Sequence, residues 1–87
     1  MAATSGGVTR AVKVIDPHGL HMRNSALVVQ RAASYDARVL VCCGQRKAAA
    51  TSILELLMLV VQQGEELILK AEGPEADKLL DALVELF

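Results

Sequence analysis

The spacing of apolar residues along the chain is the feature that most limits its fold. Residues 9–15 and 67–72 alternate between side chains that suit opposite faces of a sheet, as strands with one buried face do. Residues 22–34 and 74–87 instead repeat apolar side chains every three or four positions, which is the pattern of an amphipathic helix. The chain is therefore predicted to combine strands with helices.

Three shorter elements complete this pattern. Residues 38–43 are mostly β-branched or apolar, and a turn and a weaker strand at residues 46–49 follow, which indicates a hairpin. A second helix, capped by Thr51 or Ser52, is expected to end before Gly64. The order strand, helix, strand, strand, helix, strand, helix predicts an α+β fold with helices on one face of a sheet. The other face would be open to solvent, as antiparallel sheets allow.

A chain of 87 residues has room for one core. Residues 1–7 are mostly small and end in two glycines, so they are expected to form a flexible leader before a single domain at residues 8–87. Tyr35 and Phe87 are the only aromatic residues, and tryptophan is absent. Aliphatic packing must therefore supply most of the stability.

Charge and hydropathy argue against several classes of protein. The net charge of −1, with no basic cluster, gives no support for binding nucleic acid or an anionic lipid surface. The longest apolar stretch, residues 53–61, is interrupted by Glu55 and is shorter than the ~20 residues of a membrane helix. The amino terminus does not resemble a secretion signal, so a cytoplasmic location is expected. Cys42 and Cys43 are adjacent and would point to opposite faces of a strand, so we expect reduced thiols.

His21 stands where a turn is expected to give way to the first helix, with Arg23 two residues later. The first turn of a helix has unpaired backbone amides and a partial positive charge, which suit an anion such as a phosphoryl group. An imidazole is largely unprotonated near neutral pH and can act as a nucleophile without a separate base. Arg23 could add a charged fork to the same site. On these residues alone, His21 could equally be a polar residue near a helix start, with Arg23 solvated.

His18 is the competing histidine, three residues before His21. It lacks the position at the helix start, so a structural role in the loop is expected. A zinc site that used both histidines would need further ligands, which the sequence does not place. No metal and no cofactor are expected.

The segment Pro-His-Gly-Leu-His-Met-Arg at residues 17–23 resembles the active-site motif of HPr, the histidine-containing phosphocarrier protein. The similarity extends over almost the whole chain, through Ser-Ile-Leu at residues 52–54, Gln-Gly-Glu-Glu at 63–66 and Ala-Glu-Gly at 71–73. It implies an open-faced β-sandwich with a four-stranded antiparallel sheet covered on one face by three helices. It also implies a phosphoryl carrier and not an enzyme in its own right.

The resemblance further implies how the site works. His21 would accept phosphate on Nδ1 from the phosphoenolpyruvate-dependent enzyme I and pass it to a sugar-specific acceptor of the enzyme IIA type. Arg23 would stabilise the phosphate, and Asn24 and Ser25 are expected to contact it. The family usually has proline directly after this arginine, whereas this chain has Asn24. We therefore expect altered efficiency and not necessarily loss of function.

A partner-docking surface is expected beside the site, because the second helix has more apolar residues than one sheet can cover. Leu56, Leu59 and Val60 can turn to the core. The predicted docking surface consists of five apolar side chains from the first two helices: Met22, Leu27, Ile53, Leu54 and Leu57. Deeper burial of these residues, or a homodimer, are the alternatives to docking by a monomer.

Ser52 aligns with the serine that a dedicated kinase phosphorylates in some members of the family. The spacing from Ser52 to Glu55 also matches a capping box, so helix capping explains the serine equally well. A regulatory interaction module controlled by a kinase and phosphatase at Ser52 is therefore the alternative to a phosphoryl carrier.

Overall fold

The computed structural model describes residues 7–87, so the predicted leader, apart from Gly7, lies outside the described residues. Seven elements follow one another in the predicted order. They are β1 (Val8–Lys13), α1 (Met22–Ala32), β2 (Arg38–Cys43), β3 (Arg46–Ala49), α2 (Ile53–Met58), β4 (Glu66–Glu72) and α3 (Ala76–Val84). Within the described residues, no helix has the length and apolar character that crossing a membrane requires.

The four strands form one antiparallel sheet in the order β1-β4-β2-β3. The register brings the core-facing positions of neighbouring strands together: Leu67 of β4 lies opposite the half-buried Val12 of β1, and Leu69 lies opposite Val41 of β2. Because side chains alternate along each strand, this pairing collects the apolar residues on one face. The period-two pattern predicted for β4 is confirmed, with Leu67, Leu69 and Ala71 buried.

The three helices cover that face and bury an almost entirely aliphatic core. Val28 of α1, Leu56 of α2 and Leu80 of α3 are fully buried. The opposite face carries exposed side chains such as Ala11 and Lys70, and no helix of residues 7–87 lies on it. The predicted open-faced β-sandwich with three helices on one face is confirmed.

The second helix is shorter than its apolar run suggests. It ends after Met58, because Val60 adopts a left-handed conformation with φ = +53°, which directs the chain away from the helix. Val60 is consequently 64% exposed, so its predicted place in the core is wrong, whereas Leu56 and Leu59 are buried as expected. The Arg46 guanidinium donates a hydrogen bond to the carbonyl of Leu59 and so satisfies one of the free carbonyls at this helix end.

Only half of the predicted capping box is present at the start of α2. Ser52 is the N-cap, and its Oγ accepts a hydrogen bond from the Glu55 N–H at 3.2 Å. The Glu55 carboxylate does not return to the N–H of Ser52, and accepts instead from the N–H of Ala49 at 2.9 Å. The side chain of Glu55 therefore ties the helix to the end of β3.

Candidate functional site

A tight loop between β1 and α1 places His21 against the chain that follows α2. The Asp16 carbonyl accepts from the Gly19 N–H at 2.9 Å, and the Leu20 N–H donates to the Val61 carbonyl at 3.0 Å. Gly19 has φ = +69°, and a Cβ atom built on it would lie 2.1 Å from the Val61 carbonyl oxygen. Only glycine satisfies both the conformation and the close approach at this position.

His21 is the N-cap residue of α1, as the sequence predicted for the helix start. Its Nδ1 accepts a hydrogen bond from the Arg23 N–H at 3.2 Å, and its Nε2 lies 3.1 Å from Oδ2 of Asp16. A backbone N–H can only donate, so Nδ1 presents a lone pair to Arg23 in this geometry. The side chain is 29% exposed, so the ring is held by the protein yet reachable from solvent.

Asp16 makes two separate contacts through its carboxylate. Oδ1 accepts from the His18 N–H at 2.8 Å, and Oδ2 faces the imidazole of His21. The pKa of this carboxyl lies below its usual value. The main cause is the hydrogen bond from the His18 backbone, and the hydrogen bond from the His21 side chain adds to it. Asp16 is therefore an anion at neutral pH. Asp16 was not among the residues predicted from the sequence, although its place in a turn five residues before His21 was visible.

Asn24, which was expected to contact phosphate, is buried. Its Oδ1 accepts from the His21 N–H at 2.8 Å, and its Nδ2 donates to the Gly19 carbonyl at 3.0 Å. Together with the His21 side chain, it forms a reciprocal capping box. A phosphate contact by this amide would require these hydrogen bonds to break, so the side chain orients the loop in the described state.

Ser25 is also fully buried, and its hydroxyl has no hydrogen-bond partner within the described residues. Its backbone N–H donates to the His21 carbonyl at 2.9 Å as part of the first helical turn. The expected contact of Ser25 with phosphate stays a prediction, and the side chain would have to leave its buried position to make it.

Arg23 is exposed at the second position of α1. Within residues 7–87, its guanidinium has no hydrogen-bond or ion-pair partner. A charged side chain with this freedom can turn towards an anion bound near Nδ1 of His21 without breaking an existing contact.

Exposed apolar side chains from α1 and α2 form a surface next to the site. Met22, Leu27 and Leu54 are exposed, in agreement with the sequence, and Ile53 and Leu57 are half-buried. Met58, which is 69% exposed, was missed, although it lies one helical turn after Leu54. We call this set the apolar patch: Met22, Leu27, Ile53, Leu54, Leu57 and Met58.

His18, Cys42 and Cys43 are the remaining candidates from the sequence. The exposed His18 ring meets the His21 ring edge-on at a centroid distance of 6.1 Å. Cys42 and Cys43 are free and buried in β2. Among residues 7–87, no group of three or more histidine, cysteine or carboxylate side chains is arranged to hold a metal ion.

The fold and the histidine at the start of α1 define the class of small phosphocarrier proteins. A family model described as the PTS HPr component phosphorylation site matches residues 8–87. The chain belongs to this HPr family of the phosphotransferase system.

Individual relatives agree with the family assignment. The phosphocarrier protein NPr of Shewanella violacea is 36% identical over 77 residues, which cover 88% of this chain and 85% of that protein. The phosphocarrier protein HPr of Treponema pallidum is 32% identical over 80 residues, or 92% of this chain and 91% of that protein. The crystal structure of HPr from Bacillus anthracis superimposes with a TM-score of 0.88 at 28% identity and covers 94% of this chain and 98% of its own.

Proposed function

We propose that this chain accepts a phosphoryl group on Nδ1 of His21 from enzyme I and transfers it to an enzyme IIA-type protein. The observation that carries the proposal is the lone pair of Nδ1, which lies at the amino end of α1 on a partly exposed ring. The Arg23 N–H that now donates to Nδ1 is one of the unpaired amides of the first turn, and it becomes available to a phosphate oxygen once the lone pair is used.

The electrostatics of this site suit a carrier. The partial charge at a helix amino end is worth about 0.3–1 kcal/mol towards an exposed anion. The Arg23 guanidinium can make a second contact with the phosphate, and within the described residues it has no ion pair or hydrogen bond that would have to break first. Phosphoryl transfer depends mainly on positioning and charge, so a shallow site can hold the group and still release it. The chain is then a covalently loaded substrate of other proteins and not a catalyst.

The test is incubation of the purified chain with enzyme I and phosphoenolpyruvate from the same organism, followed by mass spectrometry of the intact protein. We expect one acid-labile phosphoryl group on the wild type and none on His21→Ala. His18→Ala is the matched control, because it removes the neighbouring imidazole and should leave loading intact. Loading of His21→Ala to the wild-type level would refute the assignment.

We further propose that partners dock on the apolar patch as they reach the imidazole, and that the chain acts as a cytoplasmic monomer. Leu54 is 69% exposed, so a charge there should leave the core unchanged. We expect Leu54→Glu to raise the KM for phosphoryl transfer about tenfold, a loss of the size that one central interface residue produces. Ala11→Glu, on the open face of the sheet, is the control. Equal effects of the two variants would contradict docking on the patch.

The second candidate is regulation through Ser52, in which a kinase modifies the chain. Ser52 precedes Ile53 and Leu54 of the apolar patch, so a phosphate on its Oγ would place charge at the edge of the docking surface. The same Oγ accepts from the Glu55 N–H, a contact that a phosphate oxygen could also make. We expect Ser52→Asp to slow transfer and Ser52→Ala to leave it unchanged; equal rates for both variants would remove this candidate.

A further inference from the structure

We propose that Asp16 is a positioning residue for His21: its carboxylate keeps the ring proton on Nε2 and thereby leaves Nδ1 as the nitrogen that takes the phosphoryl group. This inference deepens the proposed function and rests on it for its catalytic consequence. Its structural part, the choice of tautomer, can be measured on the unloaded protein.

The imidazole is held from both sides by groups with opposite hydrogen-bonding character. On the Nδ1 side the Arg23 N–H is an obligate donor, at 3.2 Å. On the Nε2 side the Asp16 carboxylate is an obligate acceptor, at 3.1 Å. The only neutral ring that satisfies both neighbours has its proton on Nε2. The protein therefore selects one tautomer before any partner arrives.

Asp16 is itself fixed in place. Its Oδ1 accepts from the His18 N–H at 2.8 Å, and its backbone carbonyl accepts from the Gly19 N–H at 2.9 Å. These two bonds hold the carboxylate with Oδ2 towards the ring. The carboxyl has a lowered pKa because of the hydrogen bonds from His18 and His21, which keeps it ionised at neutral pH. The side chain of Asp16 is 31% exposed, so water competes with this contact without replacing it.

The chemistry of phosphoryl transfer explains why the tautomer matters. The Nδ1 lone pair attacks phosphorus, an N–P bond forms, and the bond from phosphorus to the donor breaks with its electron pair going to the donor. The ring is then a cation whose proton is still on Nε2 and faces the Asp16 carboxylate. In onward transfer the N–P bond breaks, its electron pair returns to Nδ1, and a neutral imidazole leaves. No proton moves in either direction, and an anionic imidazole never has to leave.

The other charged or titratable groups near the ring do not perform this role. The His18 ring lies edge-on at a centroid distance of 6.1 Å. Arg23 extends from α1 on the Nδ1 side, where it contributes its backbone N–H. Of the three, only Asp16 presents an anion to Nε2, so the assignment is specific to this residue.

The decisive variant is Asp16→Asn, which preserves size and can keep the acceptor contact to the His18 N–H through Oδ1. Its amide NH₂ would then face Nε2, and the ring would meet donors on both sides. We expect nitrogen-15 NMR of the His21 ring to show the Nε2–H tautomer in the wild type and a mixed population in Asp16→Asn. Asp81→Asn, which removes a carboxylate paired with Arg10, is the control and should retain the wild-type tautomer.

The same proteins should be compared in phosphoryl transfer from enzyme I. We expect Asp16→Asn to slow transfer about 10- to 100-fold, by analogy with the loss of a carboxylate that orients a metal-binding histidine. Asp16→Glu should recover part of the rate because it retains the carboxylate. An unchanged tautomer in a folded Asp16→Asn protein would overturn the proposal, whatever its rate. If the wild type shows the tautomer but is never loaded, the proposed function fails while the tautomer assignment stands.

Discussion

Replacement of Gly19 by alanine tests whether the close approach of the His21 loop to the chain after α2 is essential. A Cβ atom at Gly19 would lie 2.1 Å from the Val61 carbonyl oxygen and 2.9 Å from Cα of Gln62, so backbone must move. The left-handed conformation, φ = +69°, costs alanine about 1–2 kcal/mol. The displacement also removes the hydrogen bond from the Leu20 N–H to Val61, which is worth about 0.5–1.5 kcal/mol.

We therefore expect Gly19→Ala to lower the free energy of unfolding by about 2–4 kcal/mol, since the clash adds to both terms. For a domain of this size, such a loss corresponds to a fall in Tm of about 8–30 °C. The assay is urea unfolding followed by circular dichroism, with a thermal scan as the second measurement. Loading of His21 should fall as well, because the loop that carries the ring is displaced.

Gly44→Ala is the matched control for this measurement. Gly44 has a similar φ of +62°, but nothing lies within 4 Å of the position a Cβ would occupy. The control therefore isolates the backbone cost, about 1–2 kcal/mol. The difference between the variants isolates the steric contact together with the hydrogen bond that it displaces. If Gly19→Ala costs no more than Gly44→Ala, the reasoning about the loop contact is refuted.

Three other perturbations follow from the described geometry. Val60→Gly should raise the free energy of unfolding by about 0.5–1 kcal/mol in urea titrations. Glycine removes the steric cost of the left-handed conformation, which exceeds the entropy cost of glycine, and little packing is lost because the Val60 side chain is mostly exposed. A loss of stability would contradict this expectation. Because the pKa of Asp16 is lowered in the folded protein, the contribution of its carboxylate to folding stability is complete above the unfolded pKa of 3.8. That contribution is lost as the pH falls through the lower pKa of the folded state. Asp16→Asn should therefore lose less stability than the wild type on acidification to pH values below 3.8, and parallel curves would count against it. Burial raises the pKa of the Cys43 thiol, so native protein should react with iodoacetamide far more slowly at Cys43 than urea-unfolded protein does, as peptide mapping can show.

The fold was largely predictable because its patterns are local. Leu67, Leu69 and Ala71 alternate over a whole strand, and Leu79, Leu80 and Leu83 mark one face of α3, so side-chain spacing alone indicates which surface is buried. Val60 was misplaced for the opposite reason. Its apolarity suits a core, but its exposure follows from a left-handed backbone conformation, which a β-branched side chain gives no reason to expect.

The site was predictable only in part, because several of its features depend on contacts between residues that pattern analysis treats separately. His21 and Arg23 were found through their position at a helix start. Asn24 was misjudged because its burial depends on two hydrogen bonds to the preceding loop, which offset the cost of removing an amide from water. Asp16 was missed because its role depends on a turn that brings it back to the imidazole.

The reciprocal cap made by Asn24 changes what a return to the usual family residue would mean. Proline would stiffen the opening turn of α1, yet it offers no side-chain amide. The carbonyl of Gly19 and the N–H of His21 would each lose a partner in the interior of the loop. A single exchange to proline is therefore not a simple reversion in this chain: asparagine and the surrounding backbone work as a unit, and an engineer would have to redesign both together.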